Sequence, residues 1–115
     1  MTTKVTNIAQ LRARKGTANA LAETLGYYTP SDGGGNTYQW NISSVLADNG
    51  GSVIAVTGVA TGRWISTSST VNLKQFGAKG DGTTNDTAAV AAAIATTKPV
   101  FIPTGTYILT SNLVL

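Results

Sequence analysis

At 115 residues the chain has room for one modest domain or two very small ones. Only 11% of its residues are charged, under half of the usual ~25%, and 13 glycines with many Thr, Ser and Asn fill the gap; such a composition argues against a helical bundle, whose outer faces need Glu and Lys, and favours a turn-rich β protein. With no Cys and no His, the chain has no disulfide, no thiolate or imidazole metal ligand and no Ser–His–Asp triad to offer, so no cofactor or metal is expected.

The net charge of +3 collects near the N-terminus, in Lys4, Arg12, Arg14 and Lys15. Four cations without interleaved aromatics make no nucleic-acid footprint, and the stretch reads as a solvated basic arm. Met1-Thr2-Thr3-Lys4 lacks the apolar run of a signal peptide, and no stretch approaches the ~18 apolar residues of a membrane span. Neither nucleic acid nor membrane is expected as a partner, and synthesis in a cytoplasm is expected. Residues 7–14 predict a short helix, with Asn7 as N-cap, Ile8 and Leu11 on one face and Gly16 as the stop. Two turns are marginal alone, so this helix needs a surface to pack on, such as a partner chain.

From Ala18 to Ser66 the texture is strand and turn. Ala20 to Leu25 is a short, partly apolar run. Tyr27-Tyr28-Thr29 leads into the turn cluster Pro30-Ser31-Asp32-Gly33-Gly34-Gly35-Asn36. Thr37-Tyr38-Gln39-Trp40-Asn41 alternates aromatic and polar residues as a half-buried strand does, so a hairpin is predicted across the turn. Asp48-Asn49-Gly50-Gly51 is a second loop, before a strand over Ser52 to Val56 and a last short one at Arg63-Trp64-Ile65.

Residues 67–70 form a polar linker between a module at 1–66 and a second unit at 71–115. In that second unit Val71 to Phe76 alternates like a strand, and Gly77 to Gly82 is a glycine-rich loop. Asn85 or Asp86 can cap a slim, alanine-rich helix over residues 87–95, where Val90 and Ile94 stand four apart. Pro99 to Ile102 reads as a buried strand, Pro103-Thr104-Gly105 as a turn and Thr106 to Leu109 as another strand. Asn112 to Leu115 reads as an apolar strand without a partner, from which a truncated chain is expected.

Two blocks resemble known families. Gly26-Tyr27-Tyr28-Thr29-Pro30-Ser31-Asp32-Gly33-Gly34-Gly35, with Tyr38, Trp40, Gly50-Gly51 and Gly62-Arg63-Trp64-Ile65, resembles a module in the N-terminal part of phage tailspikes and fibres. Phe76-Gly77-Ala78-Lys79-Gly80-Asp81-Gly82, Asn85-Asp86-Thr87 and Val100-Phe101-Ile102-Pro103-Thr104-Gly105-Thr106-Tyr107 resemble the start of a pectate-lyase-like right-handed β-helix. Many relatives of the first block carry Gly where this chain has Ser31.

The resemblance implies a mainly β chain: a short N-terminal helix, a small β-rich neck module, then a capping helix and the first strands of a right-handed parallel β-helix, assembled as a homotrimer. It implies a structural adaptor that attaches a tailspike to the virion, through a tail or baseplate protein or another tailspike. Host surface polysaccharide would be met by a part of the β-helix beyond these residues, and the full-length protein would be a polysaccharide depolymerase, while residues 1–115 are not expected to be an enzyme. Candidate virion or trimer contacts are Ile8, Leu11, Arg12, Arg14, Arg63 and Trp64, with Ile8 and Leu11 as a three-fold seam. Val90 and Ile94 would face inward to cap the β-helix, since the open end of a solenoid must be covered.

Sharper chemical readings compete with plainer ones. Asp81, Thr83 and Asn85 sit at the first, third and fifth positions of a calcium loop, but Asp86 stands where glycine is required and no bidentate Glu follows. Asp81 and Asp86 would make a glycosidase carboxylate pair; turn formation and helix capping account for them more simply. Gly33-Gly34-Gly35 lacks the Lys-Ser/Thr ending of a phosphate loop. Tyr27, Tyr28, Tyr38, Trp40 and Trp64 would serve either as sugar platforms or as the core of a small β domain. Arg63 would pair with a carboxylate of a neighbouring chain or lie on the Trp64 indole.

Overall fold

The alternation at residues 37–41 becomes the central strand of a five-stranded sheet in a computed structural model that describes residues 2–110. In chain order the first unit holds β1 (Thr2–Val5), α1 (Ile8–Arg12), β2 (Leu21–Thr24), β3 (Asn36–Asn41), β4 (Val53–Ala55) and β5 (Arg63–Ser66). The second holds β6 (Val71–Asn72), β7 (Asp81–Asn85), α2 (Thr87–Ala95), β8 (Val100–Phe101) and β9 (Thr106–Ile108). The fold is mainly β, with a helical element near the N-terminus and both parallel and antiparallel pairs.

The first sheet runs β1-β2-β3-β5-β4; β2, β3, β5 and β4 are antiparallel neighbours, and β1 joins β2 in parallel. On β3 every second residue is buried, so Tyr38 and Trp40 face inward with Trp64 of β5, Ile54 of β4 and Ala22 of β2. Trp40 pairs with Trp64 across the strands and their rings meet edge to face at 5.1 Å, a favoured arrangement for two quadrupoles. The predicted helix forms one turn and a little more, capped by Asn7, whose side chain accepts from the Gln10 amide at 3.0 Å. It lies on this same core, with Ile8 and Leu11 buried.

Buried polar groups in the sheet are paired with one exception, since an unpaired one is costly away from water. Asn36 Nδ2 donates to Ser66 Oγ at 3.1 Å, and the Thr24 hydroxyl accepts from the Asn36 amide at 2.9 Å. Trp64 Nε1 donates to the Arg14 carbonyl at 2.8 Å, while Trp40 Nε1 finds no acceptor among the described residues. At the β4 edge the outward amides of Val53 and Ala55 are met by the side chains of Asn49 and Asp48, at 2.9 and 2.8 Å.

Several expectations are corrected. The N-terminal arm is a strand: residues 2–5 pair in parallel with β2, and backbone hydrogen bonds hold a segment whose side chains gave no strand pattern. Val71–Asn72 alone is strand; Leu73–Phe76 is a 3₁₀ turn, started by a reciprocal Asn72–Gln75 capping box and ended by Gly77 at φ 93°. Asp81–Asn85 is a strand rather than loop. The strand near residue 100 is not buried: Phe101 and Ile102 are 66% and 64% exposed. The expected strand at residues 112–115 lies outside the described residues.

In the second unit strands pair in parallel with strands one coil later, Val71 beside Val100 and Asp81 beside Thr106. Between them α2 packs Val90 and Ala93 on Val71, Leu73, Phe76 and Ala78, with Ile94 only partly buried. Val90 and Ala93 are thus the buried residues of α2.

Ser31 sits at φ 65°, in the left-handed region that costs a residue with a Cβ roughly 1–2 kcal/mol. Ser31→Gly should therefore stabilise the chain by about 1 kcal/mol, read as a higher urea midpoint. An unchanged or lower midpoint would mean that the serine side chain repays its own strain.

Candidate interaction surface

The six candidate contact residues separate by burial. Ile8 and Leu11 are 7% and 0% exposed within the chain's own core, so the three-fold seam assigned to them is corrected: neither has a surface left to give another chain. Trp64 is likewise an inward residue at 2% exposure. Arg12 is paired inside the chain with Asp48, whose carboxylate also accepts from the amides of Gly50 and Ala55. Burial opposes ionisation of Asp48, but these partners outweigh it and hold its carboxyl below the usual range. Arg63 uses its guanidinium on the carbonyls of Leu46 and Gly62, at 2.8 and 2.9 Å. Arg14 is the one candidate whose side chain is fully at the surface.

The exposed ground lies elsewhere. Strand alternation turns Leu21, Gln39, Ile65 and Val53 to the outer face, where they stand in register as a row across the sheet. Beside it the loop after β3 presents Ile42, Val45 and Leu46, 57%, 68% and 59% exposed. Sequence reasoning passed over these aliphatic residues because they carry no motif; the signal was an apolar triplet inside an otherwise polar loop.

The two acidic residues weighed as a catalytic pair are both engaged locally. Asp81 accepts from the amides of Thr84 and Thr83 and from the Thr84 hydroxyl, which hold its carboxyl well below the usual range. A general acid needs the opposite shift. Asp86 is 2% exposed and accepts from the amides of Lys79 and Gly80 at 2.9 and 3.0 Å. It thus closes the glycine-rich loop instead of capping α2 with its side chain; Asn85 Oδ1 receives the Thr87 amide at 3.1 Å. Among the described residues no group of three or more acidic residues is placed to hold a metal, and no helix is long and apolar enough to cross a membrane.

The aromatic residues divide. Tyr38, Trp40 and Trp64 are core. Tyr27 and Tyr28 stand at the boundary of the two units, ring centroids 4.8 Å apart, on a loop organised by Asp32. That carboxylate accepts from the amides of Tyr27, Tyr28, Thr29 and Gly34, at 2.8 to 3.1 Å. In the sequence Asp32, like Asp48, marks only a turn.

Residues 4–69 match the family of the phage tail protein small four-stranded beta-sheet domain, and β2, β3, β5 and β4 are four antiparallel strands inside that span. The chain belongs to this family. Beyond the phage tail β-sheet domain, residues 70–115 match the pectate lyase-like family of rhamnogalacturonase A and epimerase. Solved structures agree with that order. The chain is similar to the tailspike protein gp49 of Acinetobacter baumannii bacteriophage Fri1, a capsular polysaccharide depolymerase, with 28% identity and a TM-score of 0.80 over 90% of this chain and 20% of that one. It is similar to full-length tailspike protein 2 of Escherichia coli O157:H7 bacteriophage CAB120, with 25% identity and a TM-score of 0.70 over 84% of this chain and 13% of that one. It shares its fold with Pantoea stewartii WceF, a glycan biofilm modifying enzyme with a tailspike-like parallel β-helix fold, at 20% identity and a TM-score of 0.68 over 79% of this chain and 13% of that one. No curated protein matches the sequence significantly. The chain thus spans a fifth or less of these solved proteins; it corresponds to a small part of larger tailspikes, the phage tail domain followed by the start of a β-helix.

Proposed function

We propose that this chain is the structural adaptor of a phage tailspike, attaching it to the virion and joining it to a β-helix that meets host surface polysaccharide. The observation that carries this reading is the order of the two matches: a phage tail β-sheet domain at residues 4–69 followed at once by a pectate lyase-like segment at 70–115. The virion-side partner is a tail or baseplate protein or another tailspike, met through Arg14 and the loop after β3 at Ile42, Val45 and Leu46. In the second unit β6 to β9 make the first coils of the right-handed helix, and α2 covers their apolar end with Val90 and Ala93, Ile94 at its margin.

The chain acts as a parallel homotrimer in this reading. A core split into two small clusters, with no disulfide to staple it, is of the size that association stabilises. The surface for it is the outer sheet face, since Ile8 and Leu11 are used internally. Light scattering on the purified chain should give three times 11.8 kDa, and tailspike-free particles of the cognate phage should bind it and lose that binding with Arg14→Glu combined with Leu46→Asp. A folded monomer at every concentration would overturn the trimer, and particles that fail to bind the trimer would overturn the attachment role.

A second reading is supported by the described activity of gp49: residues 1–115 are the leading part of a polysaccharide depolymerase whose active site lies downstream. Both readings place cleavage outside these residues. Incubation of the chain with capsular polysaccharide should release no reducing or unsaturated ends.

A further inference from the structure

We infer that the stretch at residues 67–70 is a rigid joint and not a hinge, so that the first unit fixes the direction in which the second one points. A Ser- and Thr-rich linker between two small units ordinarily leaves them free to reorient. Here the boundary is bridged by directional bonds and by backbone packed without gaps. The Tyr28 hydroxyl donates to the Gly77 carbonyl at 2.6 Å, and Gln75 Nε2 donates to the Gly35 carbonyl at 3.2 Å. Lys98 Nζ reaches back to the Ser68 carbonyl at 3.0 Å, tying the linker to the second unit. On the other side the Thr67 amide donates to the Thr37 carbonyl at 3.1 Å, tying it to β3.

Two glycines of the first unit lie flat against the second. A Cβ on Gly51 would come within 2.4 Å of the Phe76 ring, and one on Gly34 within 2.5 Å of the Lys74 carbonyl oxygen. Both seats are themselves braced, Gly34 through its amide, which donates to Asp32 at 2.9 Å. The Tyr27 hydroxyl donates to the Gly50 carbonyl at 2.8 Å and the Tyr38 hydroxyl to the Gly51 carbonyl at 2.7 Å, while Asp48, the partner of Arg12, accepts from the Gly50 amide at 2.8 Å. A load on the first unit therefore passes through α1, the loop at 48–51 and Phe76 into the second core, without crossing a freely rotating bond. Two separate bonds across the boundary, Tyr28 to Gly77 and Gln75 to Gly35, oppose rotation as well as bending. The use of such a joint in a tailspike rests on the attachment role proposed above; the rigidity does not.

The absence of cysteine permits a direct test. Spin labels at Ala13→Cys and Thr83→Cys, in the otherwise native chain diluted with unlabelled chain, should give one narrow distance distribution. Gly51→Val with Tyr28→Phe should broaden it roughly twofold or more while each unit keeps its circular dichroism; the milder pair Tyr28→Phe with Gln75→Ala should broaden it less and serves if the first variant does not fold. A broad or multiple distribution in the native chain would overturn the rigid joint, and so would variants that fold and stay as narrow as the native. Neither result touches particle binding, which tests the attachment role separately.

Discussion

Trp64→Ala should destabilise the chain by about 3–5 kcal/mol, the largest loss expected from any single side chain. The indole is 2% exposed, stacks edge to face on Trp40 and donates to the Arg14 carbonyl at the end of α1. Its removal opens a cavity under β5 and deletes one of the bonds that hold the segment after α1 on the sheet. For a domain of this size the loss corresponds to a fall in Tm of roughly 12–40 °C, measured by circular dichroism. Trp64→Phe keeps most of the apolar area and should lose about 1–2 kcal/mol. Equal losses for the two variants would show that the hydrogen bond, and not the volume, dominates at this position.

Asp32→Ala should cost about 2–3 kcal/mol, since one carboxylate holds four backbone amides at the boundary of the units. Burial opposes ionisation of Asp32, but the amides of Tyr27, Tyr28, Gly34 and Thr29 outweigh it, and its carboxyl is held below the usual range. A carboxyl that is more acidic in the folded chain stabilises it above its unfolded pKa of about 3.9. That contribution shrinks as pH falls through this region towards the folded value. Urea midpoints should therefore drop between pH 7 and pH 3 in the native chain, and drop less in Asp32→Asn. Asp48 is shifted in the same direction, so some of the drop remains in that variant. An identical pH dependence in both proteins would mean that the Asp32 shift is absent.

The parts of the fold legible in the sequence are those where the side chain decides the structure. Thr37 to Asn41 alternates because one face is buried, and the burial of β3 follows that alternation. Asn7 caps α1 as its chemistry predicts. Where the backbone decides, the sequence was silent. Nothing in Thr2-Thr3-Lys4 marks a strand; β1 exists because β2 lies beside it and offers a free edge. Of the two cap candidates, Asn85 takes the Thr87 amide, while the loop at Lys79 and Gly80 folds back within reach of Asp86 and takes both its oxygens. The same holds for the interaction surface. Ile8 and Leu11 were legible as an apolar face, yet only the tertiary structure shows that the chain's own sheet already covers it. The boundary contacts of Tyr28 and Gln75 join residues about forty or more positions apart, a distance over which no local pattern carries information.

The closure of β4 by Asn49 and Asp48 bears on how copies of the chain behave when crowded. A short outer strand with free amides is a template onto which an identical strand can add, and each addition presents the next template. Here the two outward amides are already occupied by side chains from the strand's own preceding loop, and a second copy would have to displace both before it gained a bond. Copies can then stand side by side at very high local concentration without zipping into a continuous ribbon. Shortening either side chain, as in Asn49→Ala, removes that guard.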